Sequence, residues 1–183
     1  MFARTKRLTL RPGWPEDAAA IAAAIGHEAV VDMLAEVPWP YTLDHARAFV
    51  ERPRGPADIA LLILAHESPR PRIVGGIGIH PIEGGARELG YWLAPSAWGR
   101  GYATEAGQAV VAIARHALGL KRLVSGHFAD NPASGRVLVK LGFRPAGRAM
   151  RYSAGRGGEV ECNLFELDLS GEEDDLPATA MAA

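Results

Sequence analysis

The chain has 183 residues, with 20 Lys and Arg against 21 Asp and Glu, a net charge of −1, and is 48% hydrophobic and 22% charged; this is the composition of one ordinary globular domain and excludes a fibrous or disordered chain. No run approaches the ~18 apolar residues of a membrane-spanning helix, and the start of the chain lacks a secretion-signal core, so a soluble cytoplasmic domain with no membrane association is expected. The single cysteine, Cys162, excludes an intrachain disulfide and a Cys-rich zinc site, and the six histidines show no paired ligand spacing, so no metal is expected.

Residues 8–10 alternate and precede Arg11-Pro12, which predicts a short first strand. Glu16-Asp17 opens an alanine-rich helix to Ile25, stopped by Gly26. Two further helical pieces are predicted over 30–34 and 43–51, separated by Pro38-Trp39-Pro40-Tyr41, a stiff loop carrying two aromatics. Strands are predicted over 59–67, 73–82 and 87–93, joined by turns at 68–71 and 83–85, as consecutive antiparallel partners. Hairpins then give way to crossovers. A helix over 104–118 ends at Gly119, and a strand over 122–128 leads to Asn131-Pro132, an N-cap followed by proline in the first helical turn. That helix runs to about Leu141, and strands over 148–152 and 160–168 complete the order. The fold class is therefore α/β (α+β), one mixed sheet flanked by helices. Residues 1–169 are expected to form one domain, and residues 170–183, with Glu172, Glu173, Asp174 and Asp175, a disordered acidic tail.

The charge is unevenly spread. From 99 to 157 there are ten bases and two acids, a balance of +8, so the remainder carries −9. A basic stretch is either a solvated face or a site for an anionic ligand. Within it, Trp98-Gly99-Arg100-Gly101-Tyr102-Ala103-Thr104 lies between a strand and a helix. Two glycines one residue apart let backbone amides crowd a ligand, and the next helix presents unpaired N–H groups, which suits a pyrophosphate. A dinucleotide fingerprint does not fit, since Thr104 stands where a third glycine or alanine belongs and Lys121 where the ribose-binding acid belongs; Walker A and Gly-x-Ser-x-Gly motifs do not occur. Arg100 is the strongest candidate for a phosphate contact, being permanently charged and inside the loop.

The runs Glu88-Leu89-Gly90-Tyr91-Trp92-Leu93-Ala94-Pro95, Trp98 to Ala106, and Asn131-Pro132-Ala133-Ser134 with Lys140-Leu141-Gly142-Phe143 resemble the GNAT acetyltransferase family, most of all its ribosomal-protein serine and alanine N-acetyltransferase branch. The resemblance covers residues 5–168. It implies a GNAT fold, with a mixed, mostly antiparallel sheet splayed between its fourth and fifth strands and acetyl-CoA as cosubstrate in the opening. Leu93 and Ala94 would offer backbone groups to the pantetheine, the Trp98–Thr104 loop (Trp98, Gly99, Arg100, Gly101, Tyr102, Ala103, Thr104) would hold the pyrophosphate, and Asn131 would bond the pantetheine. The basic stretch, Lys140 included, would surround the 3′-phosphorylated ADP. Two departures matter. Trp98 stands where many members have Gln or Arg, and Leu138 stands where many have a tyrosine general acid seven residues after the asparagine.

The resemblance to the ribosomal-protein branch would make Ser134 the proton donor to the thiolate, and the wider family implies Glu88 as the base for the incoming amine, with Trp39 and Tyr41 walling the acceptor pocket. A carboxylate can take an amine proton through a water as the amine attacks; an α-amine, with pKa about 8, asks less of it than a lysine near 10.4. Direct attack without an acyl-enzyme is expected, with Cys162 packed in a strand and His80 at the surface. The leading expectation is therefore an N-acetyltransferase (EC 2.3.1.-) acting on a primary amine, preferentially a protein N-terminus. Small-molecule amines and a non-catalytic CoA-binding module remain alternatives. No nucleic-acid partner is expected, because the bases are not interleaved with an aromatic recognition motif; a homodimer is left open.

Overall fold

The computed structural model describes residues 1–55, 57–67 and 70–171. The anticipated turn at Ser68-Pro69 and the acidic residues 172–175 therefore lie outside the described residues. Thirteen numbered elements follow: β1 (Ala3–Arg4), β2 (Leu8–Arg11), α1 (Ala18–Ile25), α2 (Glu28–Val31), α3 (Leu43–Glu51), β3 (Ile59–Ala65), β4 (Arg72–Pro81), β5 (Arg87–Leu93), α4 (Tyr102–Ala112), β6 (Arg122–Phe128), α5 (Pro132–Lys140), β7 (Arg144–Ser153) and β8 (Gly158–Asp168). The eight strands form one sheet in the order β1-β2-β3-β4-β5-β6-β8-β7. Every neighbouring pair is antiparallel except β5 and β6.

A core lies on each face of the sheet, and β3 shows why. Its apolar residues are consecutive rather than alternating, as a central strand covered on both sides requires. Ile59, Leu61 and Ile63 face a core completed by Val110 of α4 and Leu138 of α5, while Leu62 and Leu64 face one completed by Ile21 of α1 and Ala46 of α3. Alanine-rich α1 is a strong helix former whose Ile21 and Ile25 share one stripe. It stops where Gly26 N–H bonds Ala22 O at 2.9 Å. Thr42 caps α3 through the His45 N–H, and Asn131 caps α5 through the Ser134 N–H at 3.2 Å, with Pro132 opening the helix.

Glu16 and Asp17 form a single 3₁₀ turn ahead of α1 rather than its first turn. Asp17 is buried and takes both ends of the Arg11 guanidinium, at 2.6 and 2.8 Å, plus the Trp14 N–H at 2.8 Å. The Arg11 hydrogen bond holds its carboxyl below the usual carboxylate range against the opposing effect of burial. A carboxyl depressed in the folded state stabilises the fold above its unfolded pKa of about 3.9 and loses that contribution as pH falls through the lower folded value. Asp17→Asn is therefore expected to cost about 2 kcal/mol at neutral pH. Urea titrations across pH should show that difference shrinking below about pH 4.

Candidate active site

Strands β5 and β6 pair only at Glu88 and Val124. One further link, Ser125 Oγ–H to Leu89 O at 2.8 Å, closes the base of the junction. Past it the two strands part. The Ala94 N–H turns to β4, donating to Val74 O at 2.9 Å, whereas Leu89 O faces β6. By alternation, the backbone edges of Tyr91 and Leu93 point into the opening. The Leu93 carbonyl there accepts the Trp98 indole N–H at 2.8 Å, which leaves its N–H and the peptide groups of Tyr91 along this edge.

The two faces of the opening carry different chemistry. The register sets His80 beside Glu88, Gly78 beside Gly90 and Gly76 beside Trp92, so these residues share the face covered by α1 and α3, against which Trp92 packs. A Cβ at Gly76 would stand 2.6 Å from the Trp92 indole nitrogen, so this position has room for no side chain. A Cβ at Gly90 would meet only His80, leaving an open floor. Glu88 is buried, its Oε1 bound by Arg151 of β7 at 2.5 Å and its Oε2 3.8 Å from His80 Nε2. Cys162 lies in the same region, its sulfur 2.9 Å from where a Gly126 Cβ would stand. Burial pushes the Cys162 thiol up, which keeps it protonated and unreactive. The wall beyond is tied by the β7–β8 turn. Ala154 N–H bonds Ala35 O at 2.8 Å, and Arg156 binds Asp32 O at 2.7 Å and Asp130 at 2.8 Å.

On the opposite face Tyr91 and Leu93 pack toward α4 and α5. The half-buried Ser134, in the first turn of α5, stands over this side with its Oγ 2.7 Å from the Tyr91 hydroxyl. Leu138 is fully buried in the core, so the helix carries a packing residue at the position seven after Asn131.

The amide-rich loop sits at the mouth. Gly99 (φ 73°) and Gly101 (φ 77°) are left-handed, and Gly101 is the N-cap of α4 with no side chain capping the helix. Nothing lies within 4 Å of where a Gly99 Cβ would stand, so the loop is an open cradle. Beside it a cleft of about 830 Å³ is lined by Lys6, Arg7, Gly101, Thr104, Gln108 and Lys140 among others. Its rim is built from a distance. Burial works against ionisation of Glu105, but Thr5 Oγ1 (2.6 Å), the Arg7 N–H (2.8 Å) and the Arg7 guanidinium (2.7 Å) hold its carboxyl below the usual range. Arg7 also donates to Arg100 O at 2.9 Å, which fixes the loop. Arg100 itself is ion-paired to Glu67, which also accepts the Tyr102 hydroxyl.

The acetyltransferase (GNAT) domain family matches residues 7–144. The chain belongs to this family. The uncharacterized N-acetyltransferase YoaA of Bacillus subtilis strain 168 is 35% identical over 97 residues, which is 52% of this chain and 55% of that protein. The chain thus spans about half the length of the curated relatives it matches. Among solved structures, ribosomal-protein-S5-alanine acetyltransferase of Vibrio fischeri superposes with a TM-score of 0.77 at 18% identity, covering 97% of this chain and 100% of that one. RimL in complex with coenzyme A gives 0.77 at 20% identity over 94% and 100%. These likenesses establish the GNAT fold, and the sheet that parts between β5 and β6 is the splay expected between strands four and five, with short β1 shifting the count by one.

Within this GNAT framework the structure brings most of the anticipated residues to one opening. Trp98, Gly99, Arg100, Gly101, Tyr102, Ala103 and Thr104 form the loop and helix start, although the Tyr102 ring is buried in the core. Lys140 lines the cleft, while Asn131 spends its side-chain carbonyl on capping α5. Glu88 and Ser134 fall on opposite faces of the gap. Tyr41 packs against the α1–α3 core and Trp39 is 42% exposed, while Glu88 is partnered by Arg151 and His80. Arg7, Arg151 and Tyr91 were not read from the sequence as functional. Alternation along β5 was the one available signal for Tyr91, which lies three residues past Glu88 and so on the other face.

Proposed function

We propose that this chain is an acetyl-CoA-dependent N-acetyltransferase acting on a primary amine, preferentially the α-amine of a protein N-terminus. One observation carries the reading: β5 and β6 part just beyond Glu88, leaving an opening with a carboxylate on one face, a serine hydroxyl on the other and an amide-rich helix start at its mouth. The ungated cradle at Gly99 and Gly101 and the adjoining cleft of about 830 Å³ fit the phosphates and ADP of the cosubstrate. Lys6 and Lys140 would supply positive charge there, the Arg7 charge being paired with Glu105. The pantetheine would run along the open backbone edge of Tyr91 and Leu93.

The amine, entering from the α1–α3 face over Gly90, attacks the thioester carbonyl carbon. As the C–N bond forms, the nitrogen gives one proton through a water to the Glu88 carboxylate. The C–S bond then breaks with its electron pair on sulfur, and Ser134 gives sulfur a proton; exchange with solvent restores both side chains. Arg151 holds one Glu88 oxygen, leaving the other, Oε2, toward the acceptor side. A carboxylate is a weak base for an ammonium near 10.4 but adequate for an α-amine near 8, part of which is already neutral at pH 7. This is the physical support for an N-terminal acceptor over lysine.

Thiol release from acetyl-CoA should be measured against peptides beginning with Ala or Ser, N-terminally blocked lysine peptides and polyamines. Turnover with the free N-termini is expected. Preferential turnover of polyamines would favour a small-molecule enzyme, and stabilisation by CoA with no thiol release from any amine would make the chain a CoA-binding module.

A further inference from the structure

Tyr91 is a polar side chain in the opening that the mechanism leaves unused. It projects from β5 toward α5, and its hydroxyl lies 2.7 Å from Ser134 Oγ and 3.1 Å from Ser134 O. A serine in the first turn of a helix ordinarily rotates its hydroxyl toward nearby backbone groups. Here the backbone N–H of Ser134 is taken by Asn131 Oδ1 and its carbonyl lies beside Tyr91. The Ser134 hydroxyl is thus held between a strand and a helix, by a partner 43 residues away in sequence.

The direction of the hydrogen bond decides its use. Burial pushes the Tyr91 phenol up to about 12, so the group keeps its proton at neutral pH and acts as a donor. A phenol that donates to Ser134 Oγ leaves the serine's own hydrogen uncommitted and turned toward the gap. In the alternative, Tyr91 donates to the Ser134 carbonyl and the serine hydrogen points back at the phenol oxygen. Negative charge developing on sulfur favours the first arrangement, because only that one presents a hydrogen to it.

Resting on the acetyltransferase reading above, we propose that Tyr91 is a positioning residue that orients the Ser134 hydroxyl toward the departing sulfur of acetyl-CoA. It acts through Ser134 and touches neither the thioester nor the amine. A mere packing role would predict altered stability or cosubstrate binding; a positioning role predicts loss of turnover that depends on Ser134.

The test is a double-mutant cycle in Tyr91→Phe, Ser134→Ala and the combined variant, reading kcat, the KM for acetyl-CoA and the CoA Kd, with thermal melting as a check on folding. Tyr91→Phe keeps the ring and is expected to lower kcat about tenfold with KM and Kd within about twofold of wild type. The combined variant is expected to be no slower than Ser134→Ala alone. An active wild type with unchanged kcat in Tyr91→Phe, or single effects that multiply fully in the combined variant, would overturn the proposal while leaving the acetyltransferase reading intact. A wild type that releases no thiol with any amine overturns that reading and the proposal with it.

Discussion

Glu88→Gln is expected to lower kcat about a hundredfold, the scale of a lost general base, while the Kd for CoA stays within about twofold of wild type. Glutamine keeps the shape of the side chain and can still accept from Arg151, but it cannot take a proton from the attacking amine. The cleft proposed for the cosubstrate lies beyond the other end of β5, and Glu88 is not among its lining residues. A purely structural role gives the opposite signature. If the Arg151 ion pair at 2.5 Å serves only to tie β5 to β7, the substitution should lower the melting temperature and leave kcat near wild type. Replacing one partner of a largely desolvated pair is destabilising in either case, so rate and melting must be read together.

The second large effect is expected at the cradle. Gly101→Val should raise the Kd for acetyl-CoA at least about tenfold, because a β-branched residue at φ 77° is strained by ~1–3 kcal/mol and the loop must rearrange to relieve it. The first amides of α4 then no longer converge on the phosphates. Space is not the obstacle, since the nearest atom to the added Cβ is a flexible Arg7 nitrogen at 3.5 Å. Isothermal titration with CoA and with a dephosphorylated analogue separates the two contributions. A loss confined to CoA would point to the ribose phosphate instead, and an unchanged affinity would remove the loop from cosubstrate binding.

Much of this arrangement is legible in the sequence where glycine, proline and helix caps punctuate it. The ranges for α3, β5 and β6 follow directly from those markers, and α5 begins at Pro132 behind its Asn131 cap. The misreadings have local causes. Strand β1 is two residues long and leaves no periodicity, and α2 is a single turn over 28–31 rather than a helix over 30–34. Strand β7 begins at Arg144 instead of 148 because Pro145 and Gly147 read as breakers. On the outer edge of the sheet, however, proline costs no ladder bond on the solvent side, and the register shift between Pro145 and Gly147 absorbs the irregularity.

The site divides in the same way. Loop 98–104 is visible because two glycines before a helix announce a backbone anion cradle. Its support is not, since Arg7 meets Glu105 across 98 positions. Glu88 could be placed by resemblance, but its Arg151 partner is 63 residues away, and only folding the β7–β8 hairpin against β6 brings that guanidinium to it. The basic excess between 99 and 157 is correspondingly less of a phosphate surface than its sum suggests. Arg151 is paired with Glu88, Arg156 with Asp130 and Arg100 with Glu67.

The most direct test of the whole account is to locate the acetyl group by mass spectrometry on one peptide that carries a free N-terminal serine and a single internal lysine, after incubation with the protein and acetyl-CoA. Acetylation of the α-amine with the lysine left free is the predicted result. Acetylation at the lysine, or no transfer to either amine under conditions where CoA is bound, would contradict it.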